Sequence, residues 1–352
     1  DLARLKRGEY RSSGIRTAIY RPFAKQHVYL DRQFNNRVYQ LPRLFPTPAH
    51  RNVVICTTGV GNRIGFSALI TDVIPDVHMA DSNGASQCFP LYLYENDEGA
   101  KGRLFAEHPS AELVAGYRKE SAITEAILAV FRAAYGSDVS SDDVFFYVYG
   151  VLHSSEYRAR FANDLKKMLP RVPLTRESAD FRRFSKAGRA LADLHLKYES
   201  VEPYPLGEFC DVLKLDESKA YVVQKMNFGR RDKQIDRTTI IYNSHITLSG
   251  IPLEAYDYVV NGKSAIEWIL ERYQVSRDKD SGIVNDPNEW AREHGQPRYI
   301  LDLLKRVVRV SVETMKIVTG LPSLNEREQY PQPPKSELRM VAETPPLTSW
   351  RN

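Results

Sequence analysis

The stretch from Phe145 to Glu199 constrains the fold more than any other, because its apolar residues recur at helical spacing. Ser140 and Ser141 are followed by two aspartates, a pattern that predicts the capped start of a first helix. Ser154 predicts the start of a second helix one residue later in the same way. These start signals make the stretch a set of separate helices rather than one long helix.

The second helix is predicted to continue until Pro170, which cannot be accommodated inside a helix. Its apolar side consists of Tyr157, Phe161, Leu165 and Met168, and its remaining sides carry Arg158, Arg160, Lys166 and Lys167. A proline corner leads to a third amphipathic helix between Phe181 and Tyr198. Three such helices sharing one core form a scaffold, so we look for function on its polar rim.

A chain of 352 residues with 42% hydrophobic and 26% charged residues is expected to fold into two lobes or one compound domain. No run of about 18 apolar residues and no apolar N-terminal signal is present, so neither a membrane nor secretion is indicated and a cytoplasmic protein is expected. Cys56, Cys88 and Cys210 are odd in number and far apart, which argues against a disulfide framework or a zinc cluster. The net charge of +5 is compatible with a nucleic-acid partner. A start at Asp1 suggests a piece of a longer protein.

Taken together, these patterns predict an α+β fold in which a mixed β-sheet recognition region is braced by a cluster of amphipathic helices. A further helix is expected over 120–135, another is capped by Ser264, and a long C-terminal helix covers Gln296 to Thr319. The expected division is a β-rich recognition region at 1–118, a helical scaffold at 119–200, a mixed strand–helix region with a basic hairpin at 201–320, and an extended tail at 321–352.

Residues 14–45 alternate β-branched or aromatic residues with basic ones, which predicts a hairpin or meander. Two interpretations of its cations stay open. Arg21 and Lys25 are candidate contacts for a DNA backbone along an arginine-rich sheet edge, or the cations form a solvated strand face with the aromatic residues packed beneath.

A glycine-containing loop follows the predicted buried strand Asn52 to Thr57. It has neither the Walker ending nor a G-x-G-x-x-G pattern, so a nucleotide site is disfavoured. We interpret it as a flexible loop that presents Asn62 and Arg63 to a ligand. An Asn83-Gly84 turn comes next, and the side chains of Asn83, Ser86 and Gln87 are also able to bind base edges.

The densest basic loop lies between two predicted strands, Lys219 to Met226 and Thr238 to Tyr242. Its cations include Arg230, Arg231 and Lys233. A basic tip of this kind suits a DNA groove or phosphate backbone, and we favour that interpretation. The alternative is a solvated tip whose charge is compensated by the neighbouring Asp232 and Asp236.

No catalytic residues are predicted. A G-x-S-x-G elbow is missing, and His153 and His195 lie among apolar helical residues as core histidines do. Glu217-Ser218-Lys219 mimics the end of a metal-dependent nuclease motif, but Asp211 is too close to supply the partner acid. The acidic loop 278–286 lacks the calcium-binding spacing. On its residues alone, the chain is a binding module without metal or cofactor.

Six strings occur in this order along the chain: YRPFAKQHVYLD, FFYVYGVLHSSEYR, LKKMLPRVPL, GRALADLHLKYE, IPLEAYDYVVNGKSAIEWILERYQV and DKDSGIVNDPN. Together they resemble the C-terminal specificity domain of type ISP restriction-modification enzymes. The resemblance covers roughly residues 14–320 and implies recognition of a short double-stranded DNA site. It implies a parent that methylates adenine at N6 and cleaves DNA with ATP, using S-adenosylmethionine, ATP and Mg²⁺ in other domains. This chain would also dock on the methyltransferase domain of the same polypeptide.

The resemblance does not identify the residues that contact bases, so we choose them by chemistry. Asn and Gln pair with adenine and Arg with guanine, which makes Asn62, Arg63, Asn83, Ser86 and Gln87 the candidate base readers. The candidate backbone contacts are Arg21, Lys25, Arg230, Arg231 and Lys233. Alternatives are a structural coupler between motor and methyltransferase that reads no bases, or a metal-dependent nuclease.

Overall fold

In a computed structural model of the chain, the structure describes residues 9–35, 38–80, 84–96, 112–211 and 216–328. The helices are α1 Leu41–Leu44, α2 Glu125–Tyr135, α3 Ser141–His153, α4 Ser155–Arg160, α5 Ser178–Leu196, α6 Glu217–Ala220, α7 Ala265–Arg272, α8 Asn288–Glu293 and α9 Tyr299–Thr319. The strands are β1 Ile15–Arg21, β2 Ala24–Tyr29, β3 Val54–Thr57, β4 Ala68–Thr71, β5 Ile74–Pro75, β6 Gln87–Pro90, β7 Tyr92–Asn96, β8 Glu112–Val114, β9 Tyr117–Ser121, β10 Gly207–Cys210, β11 Asn227–Arg231, β12 Gln234–Ile241, β13 Ile246–Ser249, β14 Val259–Val260, β15 Lys263–Ser264, β16 Ser276–Arg277 and β17 Val284–Asn285. The fold is α+β, as the sequence predicts.

The strands form several small sheets instead of one large sheet. Strands β1 and β2 make an antiparallel hairpin, and β5 adds to β1 in parallel. Two three-stranded sheets have the orders β4-β3-β6 and β7-β9-β8, and a four-stranded sheet has the order β10-β13-β12-β11. Two short ribbons, β14-β15 and β16-β17, complete the described strands. Short sheets leave many strand ends and turns at the surface.

Helices α3 and α5 pack at the centre of one hydrophobic core. Ser140 and Asp143 form a reciprocal capping box at the start of α3, as predicted. Gly150 on α3 and Gly188 on α5 face each other so closely that a Cβ on Gly188 would lie 1.8 Å from the Phe146 carbonyl oxygen. Glycine at these positions is what allows the two backbones to meet.

A second core joins the beginning of the chain to its end. It contains Ile19 and Phe23 from the first hairpin together with Ile240 from β12 and Val307 from α9. The long helix α9 is therefore buried between neighbours, as its wide apolar surface predicts. Among the described residues, no helix is long and apolar enough to cross a bilayer.

Helix α4 is much shorter than predicted, because it ends at Arg160 and not near Pro170. Residues 161–168 form successive turns, in which the Asp164 carbonyl accepts from the backbone N–H groups of Lys167 and Met168. Leu165 is buried, but Met168 is exposed. Asn163 and Asp164 are poor helix formers, and this is the physical reason the apolar spacing was misleading.

The strand predicted from Lys219 to Met226 is also wrong. Helix α6 occupies its beginning, and irregular chain follows. Two side-chain amides bind the backbone groups that a strand would use: Asn243 donates to the carbonyls of Ala220 and Val222, and Asn288 bonds both the N–H and the carbonyl of Val223. The hairpin itself is formed by β11, which lies inside the predicted loop, and by β12, which begins inside that loop and continues to Ile241 through most of the predicted strand Thr238 to Tyr242.

Two further boundaries differ from prediction. Residues 117–121 pair with β7 as strand β9, so α2 begins at Glu125, capped by Thr124, and not at residue 120. Ile127, near the start of α2, is exposed. The beginning of the predicted tail packs on the helical part of the chain. Leu324 is buried there, and Glu326 forms an isolated antiparallel β-bridge with Thr175. Residues 329–352 lie outside the described residues, and the fourfold division of the chain stays a prediction.

Candidate nucleic-acid interface

The β3–β4 loop, residues 58–67, is held together by hydrogen bonds within the loop. The Thr58 N–H donates to the Ser67 carbonyl across its base. At its tip the Asn62 side-chain oxygen accepts from the backbone N–H groups of Ile64 (2.7 Å) and Gly65 (2.9 Å). Gly61 and Gly65 both have positive φ, which glycine adopts without strain. The loop therefore holds a defined shape.

Two predicted base readers occupy opposite sides of this loop. Asn62 is only 8% exposed and points inward, where its amide nitrogen has no hydrogen-bond partner among the described residues. Arg63 is exposed at the tip, and no carboxylate in the described part of the chain pairs with it. A free guanidinium on a rigid turn has the chemistry to bind a guanine edge or a phosphate.

The remaining predicted base readers lie beside the base of the loop. Gln87 begins β6 and pairs in register with Thr57, the last residue before the loop. The Ser86 hydroxyl accepts from the Ala80 N–H and so supports its own segment. Asn83 lies outside the described residues. The structure thus brings Gln87 close to the β3–β4 loop. The sequence did not indicate this proximity, because Gln87 lies far from the loop along the chain.

The basic hairpin, formed by β11 and β12, ends in the two-residue turn Asp232-Lys233, with φ of +50° and +66°. Positive φ at both positions matches a type I′ turn, which suits the strand twist. Arg230, Arg231 and Lys233 are exposed, and no carboxylate among the described residues forms an ion pair with them.

The Asp236 carboxylate, beside the hairpin tip, accepts hydrogen bonds from Thr238 and Thr239. Hydrogen bonds from Thr238 lower the pKa of Asp236, with Thr239 and the charge of Arg231 adding to the effect. Asp236 is therefore ionised near Arg231, and the alternative of a solvated tip compensated by Asp232 and Asp236 stays open beside the DNA-contact interpretation.

A chain of contacts connects the loop with the hairpin. Ile64 packs against Gly262 in the β14–β15 turn, where an added Cβ would lie 2.2 Å from the Ile64 side chain. The same turn bonds to the loop through the Asn261 N–H and the Ser67 hydroxyl at 2.8 Å. Helix α7 follows this turn, and its Glu267 pairs at 3.0 Å with Arg237 on β12. The loop and the base of the hairpin are therefore held by one continuous set of elements.

Arg21 and Lys25 are placed in intramolecular ion pairs. Arg21 bonds to Asp76 at 2.9 Å with its side chain 15% exposed. Lys25 bonds to Glu199, whose other oxygen accepts from the Tyr299 hydroxyl. Either cation would have to leave its carboxylate to contact a phosphate, and their assignment as backbone contacts stays a prediction.

Both histidines of the helical stretch are buried. His195 lies between the hydroxyls of Tyr149 (2.6 Å) and Thr314 (2.9 Å), and burial, aided by the charge of Arg158, lowers its pKa to about 3. Burial also lowers the pKa of His153 well below its ordinary range. These environments keep both imidazoles neutral inside the core. The described residues contain no group of His, Cys, Asp and Glu side chains arranged to hold a metal ion.

Sequence reasoning overlooked one set of cations, which it assigned to the solvated side of a long helix. Residues 161–171, the basic shelf, carry Lys166, Lys167 and Arg171 at the surface beside the β3–β4 loop. The Gly61 N–H donates to the Lys166 carbonyl at 2.8 Å. The low helix propensity of Asn163-Asp164 was the available signal that the helix ends early.

A family model described as the Type ISP C-terminal specificity domain matches residues 1–303. No curated protein matches the chain significantly.

Three solved structures resemble the chain over most of its length. The ATP-dependent Type ISP restriction-modification enzyme LlaBIII bound to DNA is 34% identical with a TM-score of 0.77, covering 92% of this chain and 19% of that chain. A nuclease-deletion mutant of the Type ISP restriction-modification enzyme LlaGI in complex with a DNA substrate mimic is 35% identical with a TM-score of 0.74, covering 93% and 26%. The DrdV–DNA complex is 32% identical with a TM-score of 0.72, covering 90% and 29%. The chain thus spans less than a third of the length of each of these proteins.

Proposed function

Because the chain belongs to the Type ISP C-terminal specificity domain family, we propose that it recognises a short sequence in double-stranded DNA. The β3–β4 loop and the start of β6 contact base edges, with Arg63 and Gln87 as the principal side chains. The basic hairpin contacts the phosphate backbone through Arg230, Arg231 and Lys233.

The observation that carries this proposal is the Arg63 guanidinium, which pairs with no carboxylate among the described residues and sits on a turn whose shape is fixed by hydrogen bonds to Asn62. A base reader needs a side chain that is uncommitted to its own protein and a backbone that holds it in one position. Arg63 meets both conditions. The similarity to proteins solved with DNA over at least 90% of this chain supports a duplex as the ligand.

We further propose that recognition directs adenine-N6 methylation and ATP-dependent cleavage carried out by other parts of a longer protein. S-adenosylmethionine, ATP and Mg²⁺ would bind those parts, and this chain would contact the methyltransferase domain. The description of LlaBIII as an ATP-dependent restriction-modification enzyme supports this arrangement for a relative that is 34% identical.

The direct test is selection of duplexes from a random oligonucleotide pool by the full-length protein that carries this chain. We expect enrichment of one short sequence that Arg63→Ala abolishes or broadens at a single position. An unenriched pool after several rounds would contradict site recognition, and enrichment unaffected by Arg63→Ala would leave site recognition standing while removing Arg63 from it.

A further inference from the structure

The basic shelf, residues 161–171, presents positive charge that its own fold does not neutralise. It contains three cations, Lys166, Lys167 and Arg171, against the single carboxylate of Asp164. None of the three forms an ion pair with a carboxylate in the described part of the chain. By contrast Arg160, just before the shelf, pairs with Glu326 at 3.2 Å.

The shelf is fixed beside the β3–β4 loop. The hydrogen bond from the Gly61 N–H to the Lys166 carbonyl joins the two backbones. Leu165 is buried beneath, and the Tyr157 hydroxyl donates to the Arg171 carbonyl at 3.0 Å. The backbone of the shelf therefore contacts the β3–β4 loop two residues before Arg63.

Arg158 extends this charge inward under the loop. Its guanidinium lies 5.8 Å from the Phe66 ring, and its Nε donates to the Leu152 carbonyl at 2.6 Å. No carboxylate in the described residues pairs with it. Burial lowers its pKa, the direction expected for a cation that leaves water without gaining an anion.

The surface around the shelf is apolar as well as cationic. Val60 and Ile64 in the loop and Met168 and Leu169 in the shelf are between 37% and 55% exposed. These apolar side chains are exposed in the same two segments that carry Arg63 and the cations of the shelf. Lysine is depleted in protein–protein interfaces, whereas protein–DNA interfaces are strongly positive. The combination favours DNA over a protein partner.

We propose that the basic shelf binds the phosphate backbone of DNA next to the bases contacted by the β3–β4 loop, with Lys166 and Lys167 as the principal contacts. This inference rests on the proposed function and adds a second backbone-binding element to the basic hairpin. Phosphate contacts by both elements would fix the register of the loop on the duplex.

The test is the double substitution Lys166→Gln and Lys167→Gln in the full-length protein. Both side chains are exposed and unpaired among the described residues, so the change removes charge without disturbing the core. Lys186→Gln with Lys279→Gln, two exposed lysines on α5 and in the β16–β17 turn, is a matched control with the same loss of charge. Binding to the selected duplex and to a scrambled duplex is measured at several salt concentrations.

We expect the slope of log affinity against log salt to become shallower by about 2 for the shelf variant, since each phosphate contact contributes about 0.9. The control should retain the wild-type slope, and the preference for the selected duplex over the scrambled one should persist in both variants. A slope equal to that of the wild type in the shelf variant would overturn the inference. It would do so even if restriction or methylation activity fell, because the shelf would then contact another protein domain and not DNA. Absence of any sequence preference in the wild-type protein would instead defeat the proposed function, independently of the slope.

Discussion

Asn62 and Arg63 are adjacent in sequence but have different roles in the structure. The Asn62 side chain is used by the backbone of its own loop, and the Arg63 side chain by nothing in the described residues. We therefore expect Arg63→Ala to weaken binding to the selected site by about 1–3 kcal/mol while leaving binding to scrambled DNA nearly unchanged. Competition binding with the two duplexes measures this, and equal losses on both would exclude base contact by Arg63.

Asn62 offers a complementary experiment, because Asp keeps its accepting oxygen and Ala does not. Asn62→Ala should lower both the stability of the loop and the site preference, whereas Asn62→Asp should keep the loop and the ratio of selected to scrambled affinity. The ratio is the quantity to measure, since the added negative charge weakens both affinities. Loss of the ratio in Asn62→Asp would show that the amide nitrogen of Asn62 contacts a base.

His195 predicts a pH dependence of stability. Its pKa is lowered from 6.5 to about 3 in the folded chain, first by burial and then by the charge of Arg158. Between these two pKa values the unfolded chain therefore binds more protons than the folded chain. The free energy of unfolding falls as pH decreases through that window, and the stabilisation is fully present only above about 6.5. The effect of this one residue between pH 7 and pH 5 is about 2 kcal/mol.

Chemical denaturation at pH 5 and pH 7 checks this, with His195→Gln expected to lose less stability on acidification than the wild type. His294→Gln, at the exposed position that follows α8, is the control and should behave as the wild type. An unchanged pH dependence in His195→Gln would contradict a buried neutral imidazole at this position.

At the scale of elements, the contact of α3 with α5 depends on two glycines. A Cβ on Gly188 would overlap the Phe146 carbonyl, and one on Gly150 would lie 2.3 Å from the Phe184 carbonyl. Both obstacles are helix backbone and cannot rotate away. We expect Gly188→Ala to reduce the free energy of unfolding by about 3 kcal/mol or more through overpacking, although alanine is the better helix former. A neutral or stabilising effect in thermal denaturation would show that the helices can separate at little cost.

The basic hairpin is an element whose charge can be removed without touching its turn. Arg230→Gln with Arg231→Gln leaves the Asp232-Lys233 turn intact. We expect a shallower salt dependence of DNA binding with the site preference retained, because phosphates carry no sequence information. An unaltered slope would remove both arginines from the backbone contacts.

At the scale of the whole molecule, the candidate interface is assembled from distant parts of the chain. Three of its parts are in contact: the β3–β4 loop, the basic shelf and the β14–β15 turn before α7. Each comes from a different one of the regions predicted from the sequence. One hydrophobic core likewise contains residues from both the first hairpin and α9. A transplant of the loop alone should therefore lose its support.

This organisation predicts the outcome of exchanging parts with a relative that recognises a different site. Transfer of residues 9–328 as a unit should transfer the recognised sequence, since the loop and its supports move together. Selection from a random pool by the chimera is the measurement. Retention of the recipient's own site would favour the alternative in which this chain couples motor and methyltransferase without contacting bases.

The sequence by itself determined the local elements whose signals lie within a few residues. The capping boxes at Ser140 and Ser264 and the buried helix α9 are set by side chains and backbone of the same segment. The ordered strings that resemble the family are likewise a property of sequence, and the family model and similar structures confirm the family.

Only the tertiary structure decided which of these elements meet. Cys56 and Cys88, 32 positions apart, are cross-strand neighbours with sulfur atoms 3.6 Å apart, and residues 219–226 are not a strand because Asn243 and Asn288 take their backbone groups. Whether a cation is free depends on a carboxylate brought close by folding: Arg21 finds Asp76, whereas no described carboxylate reaches Arg63 or Lys166. Ion pairs and side-chain hydrogen bonds act over a few ångströms irrespective of sequence separation, and for that reason the residues left available to a ligand were known only once the chain was folded.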